Sequence, residues 1–472
     1  MKHLSTRPLT GPFFLLLTFL CLVIVSGCAS LPDAQKMMAQ ELSSSDQPVK
    51  IMGPKGELSP RTSEAIIKWL ERQADATELL QHQIKLMQSI VGNPVVAGNK
   101  VTLLIDGMAT YAAMFEAIKD AKDHINFESF IFEDDEVGRQ FSDLLIQKRA
   151  EGVQVNLIYD SYGSMSTPAS FFQRLRDHGV RVLEFNPVNP ERLVEGTSWE
   201  LTTRDHSKIL IVDGAIAFTG GVNISGVYSR SSSSQSRGTK REEPWRDTHV
   251  RIEGPAAAQL QWLFMNTWER QKGPALPKKE YFPYVKKSGN TLVGVVGSIS
   301  GETNRLIFIM YMSALTHAKR SIYLTTPYFV PDDQMLKALT EATARGVDVK
   351  ILLPGFSDSN LVFYTSRHYY ARLLKAGVKL FEKRGGGMLH AKTAVIDDVW
   401  STIGSSNLDT QSLLTNEEAN AVILGRDFAD AMQVMFERDL KESDQITLEE
   451  WEKRPFDNYL KEWFSRLFKH WL

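Results

Sequence analysis

The chain has 472 residues, 43% hydrophobic and 23% charged, which excludes a disordered or collagen-like chain and suggests a few domain-sized units. Its 54 basic and 56 acidic residues give a formal charge of −2, or 52 − 56 = −4 once the first 27 residues, with Lys2 and Arg7, are set aside. That balance argues against a protein built to wrap nucleic acid, and two cysteines confined to the first 28 residues exclude a disulfide framework or a Cys-ligated metal in the body.

Lys2 and Arg7 precede an apolar run, Phe13 to Val25, of signal-peptide length and short of a comfortable membrane span. The run ends in Val25-Ser26-Gly27-Cys28, which resembles the lipobox of bacterial lipoproteins. The resemblance implies a signal peptide over 1–27, acyl chains on Cys28 and a place in the bacterial cell envelope. Neutral Ala29 favours the periplasmic side of the outer membrane, with the outer face of the inner membrane as the alternative. Residues 28–95 are expected to hold a linker and a helical segment. Ser43 to Arg61 is rich in Ser, Pro, Gly and charge and reads as the linker. Glu64 to Val91 carries Ile67, Leu70, Leu80, Ile84 and Met87 at helical spacing.

A long internal repeat follows. Ala117 to Asp134 (AIKDAKDHINFESFIFED) matches Ala314 to Pro331 (ALTHAKRSIYLTTPYFVP). Each stretch leads into a helix and a Gly-Val strand, at Gly152-Val153 and Gly346-Val347, then a second helix ending in Gly179-Val180 or Gly377-Val378. The order helix, strand, helix, strand predicts an α/β domain built twice, over 96–275 and 291–445, joined by a Pro-containing connection at 276–290. Ser229 to Glu243 (SRSSSSQSRGTKREE) reads as a polar surface loop. The tail, 446–472, places Tyr459, Leu460, Trp463, Phe464, Leu467, Phe468, Trp471 and Leu472 at helical spacing among basic residues. Two readings stand for it: a helix lying in lipid headgroups, or one docked on the body by its apolar face.

Each copy carries one set of reactive residues. His206-Ser207-Lys208 is followed by Asp213, and His390-Ala391-Lys392 by Asp397, with the strand-like runs ILIV and TAVI between. His and Lys two residues apart on a strand share a face. Downstream stand Gly220-Gly221-Val222-Asn223 and Gly404-Ser405-Ser406-Asn407. Ten histidines and ordinary Lys and Asp frequencies would produce about 0.03 such patterns by chance. Two imidazoles, two ammonium groups and two amides suit a phosphodiester. The cations and amides offset its charge without a metal, one neutral imidazole attacks phosphorus, and the other passes a proton to the leaving alkoxide.

These residues resemble the HKD motif of the phospholipase D superfamily, from about Asn99 to Leu440. Ile125-Asn126-Phe127-Glu128, Phe132-Glu133-Asp134-Asp135, Thr326-Pro327-Tyr328-Phe329-Val330-Pro331, Gly404 to Asp409 and Asn416 to Asn420 look like bacterial cardiolipin synthases, from which the lipoprotein-like leader departs. The resemblance implies two tandem phospholipase D-like domains, each a mixed β-sheet flanked by helices, pseudo-twofold related around one site. It implies His206 as nucleophile and His390 as general acid and base, or the reverse. Lys208, Lys392, Asn223, Ser405 and Asn407 would hold the phosphate, and Asp247 and Glu418 would stand behind the histidines. Asp213 and Asp397 belong to the motif, but five residues after Lys they face away from it on a straight strand and are expected to be structural. Glu128, Pro327 and Tyr328 are expected to shape the pocket. The implied activity is phosphatidyl transfer forming cardiolipin from phosphatidylglycerol, with phosphatidylethanolamine as a possible donor. Hydrolysis to phosphatidic acid and nucleic-acid cleavage are the alternatives. The implied partners are phospholipid substrates and a membrane surface, with no cofactor, metal, nucleic acid or obligate protein partner.

Overall fold

The computed structural model describes residues 31–43, 49–73, 77–89, 91–197, 200, 202–229, 243–299 and 305–469. The leader with Cys28, residues 230–242 of the polar loop, and Trp471 and Leu472 lie outside the described residues. Among the described residues no helix is long and apolar enough to cross a membrane.

The segment read as a linker forms a small hairpin, β1 (Met52–Gly53) and β2 (Gly56–Glu57), and Met52 pairs with Val96. Its Pro and Gly serve a tight turn: Ile51 is fully buried and Gly56 has φ 104°. The helical expectation for 64–91 corresponds to two helices, Pro60–Gln73 and Thr77–Ser89, which bury Leu70, Leu80, Ile84 and Met87.

In the first copy the strands are β3 (Val96–Ile105), β4 (His124–Ser129), β5 (Gln154–Asp160), β6 (Arg181–Phe185), β7 (Lys208–Val212), β8 (Ile216–Gly220) and β9 (Thr248–Glu253). They lie in the order β6-β5-β4-β7-β8-β9-β3, parallel from β6 to β4 and antiparallel thereafter. The second copy has β10 (Thr291–Ser298), β11 (Ser321–Thr325), β12 (Asp348–Pro354), β13 (Lys379–Lys383), β14 (Thr393–Ile396), β15 (Trp400–Gly404), β16 (Glu418–Leu424) and β17 (Ser443–Ile446). Its order, β17-β13-β12-β11-β14-β15-β16-β10, repeats the first arrangement with one strand added at the edge. The central strands are buried on both faces, so they read as continuous apolar runs rather than alternating ones.

Those two buried faces define three layers of core. Helices Asp106–Asp120, Glu136–Ala150 and Ala169–Asp177 cover the outer face of the first sheet through Ile118, Phe141, Leu145 and Phe172. Helices Leu306–His317, Asp333–Ala344 and Tyr370–Lys375 cover the second through Phe308, Leu339 and Leu373. Between the sheets lie helices Ala257–Arg270 and Arg426–Lys441. Leu260, Phe264 and Met432 there share one cluster with Ile209 and Ile211 of the first sheet and Ile403 and Ala421 of the second. The inner faces of the two copies therefore have a single common core.

Asp213 and Asp397 stand at the far ends of β7 and β14 from the lysines, and they are removed from the catalytic set. Asp213, at φ 51°, accepts the backbone N–H groups of Lys122, Asp123 and His124 at 2.8–2.9 Å. Asp397, at φ 52°, accepts those of Lys319, Arg320 and Ser321 at 2.8–3.0 Å. Each carboxylate fixes the start of the neighbouring antiparallel strand, β4 or β11, and so sets the register on which the histidines depend.

The tail forms helices Leu448–Glu452 and Phe456–Arg466. The second docks by a polar face, which overturns the docked apolar helix. Glu462 and Ser465 are buried, Glu462 pairs with Arg454 at 2.7 Å, and Phe456 and Trp463 are 74% and 60% exposed.

Replacing Asp213 or Asp397 with Ala leaves three backbone donors without their acceptor, two of them half-buried at Asp213 and all three half-buried or buried at Asp397. Each change should cost about 2–4 kcal/mol and lower the urea midpoint, while the folded fraction keeps near-normal turnover. A fall in turnover with no change in midpoint would return these residues to the catalytic set.

Candidate active site

Leaving β7 and β14 in the backward direction, each chain passes through its Lys to its His and is captured there by the other copy. The N–H of His206 donates to the carbonyl of Glu417 at 2.9 Å, and that of His390 to the carbonyl of Arg246 at 2.7 Å. Parallel bridges join Asp205 to Glu417 and Arg246 to Leu389. The residues after those partners are Glu418 and Asp247, so the carboxylates are crossed. His206 Nδ1 lies 3.0 Å from Glu418 Oε1, and His390 Nδ1 lies 2.7 Å from Asp247 Oδ2. A carboxylate accepts the Nδ1 proton, which leaves Nε2 as the nitrogen for chemistry.

The lysines complete the cleft. Lys208 Nζ donates to the carbonyl of His206 and Lys392 Nζ to that of His390, both at 2.6 Å, and Lys392 Nζ also lies 3.0 Å from His390 Nε2. The four groups converge. Burial drives His206 well below its ordinary value, and Lys208, Lys392 and His390 add to the effect. Burial and Lys392 push His390 down to about 4 against the pull of Asp247. The two carboxyls differ. Burial works to raise Asp247, but His390 and Lys392 outweigh it and hold the group below its usual range. Burial pushes Glu418 up to about 7 despite Lys208 and the Ser405 hydroxyl.

The three uncharged residues among those expected to bind phosphate separate. Ser405 is committed elsewhere: its Oγ donates to Glu418 Oε2 and accepts from the N–H of Ala419 at 3.0 Å. It supports the carboxylate rather than the substrate. Asn223 accepts from the N–H of Ile131 at 3.2 Å and donates to the Tyr228 hydroxyl at 3.0 Å, so at most one of its amide protons remains for a phosphate. Asn407 is the less committed amide, with a buried Oδ1 that has no hydrogen-bond partner among the described residues.

Aromatic groups that the motif does not include line both histidines. Phe130 meets His206 edge-on at 4.9 Å, with Lys208 Nζ 5.1 Å above its ring. Tyr228 brings its hydroxyl to 3.3 Å from His390 Nδ1, and Trp245 lies 5.3 Å from the same ring. Tyr328 stands 6.4 Å from His390 and donates to Asp358 at 2.7 Å. Glu128 is buried beside Asp205 and Glu417, and burial raises it to about 7. Tyr328 and Glu128 carried a sequence signal in their motifs, and Phe130 carried one in its place at the repeated strand end. Tyr228 and Trp245 flank the polar loop, which has no counterpart in the second copy.

Comparison with known proteins agrees with this geometry. The family model described as "Cardiolipin synthase, PLD-like domain" matches residues 114–232 and 311–440, one match for each His-Lys pair. The chain belongs to the cardiolipin synthase family of phospholipase D-like proteins. It is 36% identical over 344 residues to a cardiolipin synthase of Alkalihalophilus pseudofirmus, covering 72% of this chain and 65% of that protein. It is 35% identical over 371 residues to cardiolipin synthase A of Pseudomonas putida, covering 78% of this chain and 74% of that one. The chain thus spans just under two thirds of the first relative's length. The crystal structure of phosphatidylserine synthase from Haemophilus influenzae superposes with a TM-score of 0.63 at 14% identity, covering 83% of this chain and all of that one, and so shares the fold. Glu418 falls within the second family match, whereas Asp247 lies beyond the end of the first.

Burial pushes Lys208 down to about 7 and Lys392 to about 8, so the empty cleft loses positive charge as pH rises through those values. A bound phosphodiester anion raises both again. kcat/KM, which follows the free enzyme, should therefore fall above about pH 7–8, while kcat stays level to higher pH. Anion binding near pH 8 should take up protons, seen as a binding enthalpy that depends on the buffer. A kcat/KM that stays flat to about pH 9.5 would mean that the lysines keep their charge in the empty cleft.

Proposed function

We propose that this chain is a phosphatidyltransferase that makes cardiolipin from two phospholipids, with phosphatidylglycerol or phosphatidylethanolamine as donor. The observation that carries the reading is the pair of imidazoles held on Nδ1 by carboxyls of opposite character. Asp247 stays ionised and, once a bound phosphodiester anion offsets the lysines that hold His390 down to about 4 in the empty cleft, favours an imidazolium there. Glu418, raised to about 7, gives His206 less support for positive charge. His206 is then the neutral nucleophile and His390 the acid. His206 Nε2 forms a bond to phosphorus, the bond from phosphorus to the headgroup oxygen breaks, and His390 gives that oxygen a proton. The terminal hydroxyl of a second phosphatidylglycerol loses its proton to His390 and attacks phosphorus. The P–N bond breaks, His206 is restored and cardiolipin leaves. Lys208 and Lys392 offset the phosphoryl charge throughout.

Lipid mass spectrometry with phosphatidylglycerol vesicles tests this. Wild type should yield cardiolipin and glycerol, and His206→Ala should lose about 10³-fold or more. With a p-nitrophenyl phosphodiester, whose leaving group needs no proton, His390→Ala should still form the phospho-enzyme on His206 in a rapid quench. Phosphatidic acid without cardiolipin would make the protein a hydrolase, and label on His390 would exchange the two roles.

We further propose that the enzyme works on a membrane through two devices on one flank. The first is a lipidated Cys28, in the outer membrane facing the periplasm. The body begins close behind it, since Pro32 and Ala34 bond the side chain of Gln334 at 2.9 and 3.0 Å. Four residues from Cys28 to Pro32 reach at most about 14 Å, which keeps the body near the bilayer. The second is the outward crest of helix Phe456–Arg466, with Leu460, Trp463, Phe464 and then Leu467 exposed beside basic Lys461 and Arg466. The flank is shared: Tyr369 feels Arg466 of the tail together with Asp333 and Asp332, which begin the helix carrying Gln334. Exposed Tyr162 and Met165 follow β5, and exposed Phe356 follows β12, at the strand ends that lie toward Lys208 and Lys392. Exchanging Trp463, Phe464 and Leu467 together for Ser should cut turnover on vesicles about tenfold or more and spare dispersed short-chain lipid. Intact mass of membrane-extracted protein should show loss of 27 residues and added acyl chains. Equal losses on both substrates, or an unmodified Met1 start, would defeat the respective device.

A further inference from the structure

A second cluster of metal-ligand side chains lies at the opposite end of the second sheet from His390. His317 ends its helix four residues before Ser321, and Ser321 opens β11 at the end fixed by Asp397. Thr325, at the other end of β11, pairs with Thr393 beside the catalytic Lys392. Against His317 stacks His82, from the N-terminal helix Thr77–Ser89, with ring centroids 3.7 Å apart and planes inclined by 21°. Glu78 stands one turn before His82. A carboxylate oxygen of Glu78 and one nitrogen from each ring lie within 4.8 Å of one another.

The hydrogen bonds decide the tautomers. His82 Nδ1 is 2.9 Å from the carbonyl of Glu78, and His317 Nδ1 is 2.8 Å from the carbonyl of Ser313. A carbonyl only accepts, so each ring carries its proton on Nδ1 and keeps the Nε2 lone pair. A backbone carbonyl on the other nitrogen is the usual outer support of a metal-binding histidine. Burial lowers His317, with His82 and Arg345 adding to it against the Ser313 carbonyl and Glu78. Lys319, 2.9 Å away, holds the Glu78 carboxylate ionised. Two imidazole Nε2 lone pairs and one carboxylate are the donors a divalent ion requires.

We propose that Glu78, His82 and His317 form a site for a divalent transition ion of the Zn²⁺ type, joining the N-terminal helices to the second copy. Two imidazole nitrogens and one carboxylate oxygen match Zn²⁺, with water in the fourth place, and the donor set does not suit Mg²⁺ or Ca²⁺. A modest tilt of the stacked rings brings both lone pairs onto one ion. The site opens to solvent, since Glu78 is exposed and both rings are partly so, and the Lys319 side chain, 54% exposed, has room to swing off Glu78 as the ion enters. The ion acts on the fold and not on the chemistry: it ties helix Thr77–Ser89 to helix Leu306–His317, which already pack through Leu80, Ile84 and Phe308. Turnover at His206 and His390 does not use it.

The test uses the full chain, stripped by a chelator and titrated with Zn²⁺ alone by calorimetry, with thermal unfolding in parallel. One Zn²⁺ should bind at this site and raise the unfolding midpoint by several degrees. His82→Gln and His317→Gln should each weaken binding tenfold or more, and Lys319→Met should tighten it by freeing Glu78. Turnover of phosphatidylglycerol should stay at the wild-type level in all three variants, which also verifies that they fold. Absence of Zn²⁺ binding in the wild type would overturn the proposal. So would stoichiometric binding that survives unchanged in the His82→Gln, His317→Gln double variant, since the ion would then reside elsewhere, as at the catalytic histidines.

Discussion

The crossed pairing of imidazole and carboxylate is the constraint on which the rest of the molecule depends. Neither copy holds a working histidine by itself. His206 belongs to the first copy and its carboxylate to the second, and His390 has the reverse arrangement. Both pairs are buried, so breaking either would strand an ionisable group out of water, which costs more than any surface ion pair returns. The copies must therefore stay in register to within a hydrogen bond. The shared core between the sheets and the bridges at Asp205–Glu417 and Arg246–Leu389 supply that register.

Charge clamps secure the same joint. Arg246, one residue before Asp247, reaches Asp439 on the helix of the second copy at 2.6 Å. Glu417, one residue before Glu418, pairs with Arg270 on the corresponding helix of the first copy. The clamps occupy matching places with their signs exchanged. An Arg and a Glu can hold the same strand end because what matters is a buried, geometrically fixed partner on the opposite helix, not which side carries the positive charge. The residues that carry the catalytic carboxylates are thereby fixed from behind, which preorganises the cleft before any lipid enters.

Most of this architecture was legible in the sequence because it is written twice. The His-Lys pairs, the apolar runs ILIV and TAVI and the Gly-Val strand starts recur at matching distances, and each carries a period or a spacing that physical chemistry can interpret. The separation of Asp213 and Asp397 from the lysines also followed from strand geometry. What stayed hidden depends on contacts between copies. Nothing in a linear pattern says that Asp247 faces His390 rather than His206, because Asn223 and Asp247 are 247 − 223 = 24 positions apart where Asn407 and Glu418 are 418 − 407 = 11. Residue type points Ser405 and Asn223 to phosphate, but Ser405 is committed to Glu418 and Ala419, and Asn223 gives one of its two amide protons to Tyr228. The linker reading failed for a similar reason: Pro, Gly and Ser mark a change of direction, and only Ile51 in the core shows that the turn is packed. The tail helix carries the expected period, but the packing of Glu462 and Ser465 against the body turns its apolar face outward.

Duplication alone would leave two equivalent histidines, whereas a two-step transfer needs one nucleophile and one acid. Small differences around the pseudo-twofold break the tie. The acid behind His390 is Asp247, set against Gly221, where a Cβ would collide with the carboxylate. At the matching place in the second copy Ser405 lends its hydroxyl to Glu418. A Ser hydroxyl bonds a carboxylate but adds no positive charge, and it does not hold Glu418 down against burial. His390 and Lys392 hold Asp247 down against burial, and Tyr228 adds a hydroxyl beside the same imidazole. A proton entering the cleft is therefore better accommodated on His390, backed by a full anion, than on His206. The proposed assignment of nucleophile and acid thus rests on which carboxyl remains charged, a distinction two nearly identical motifs do not reveal.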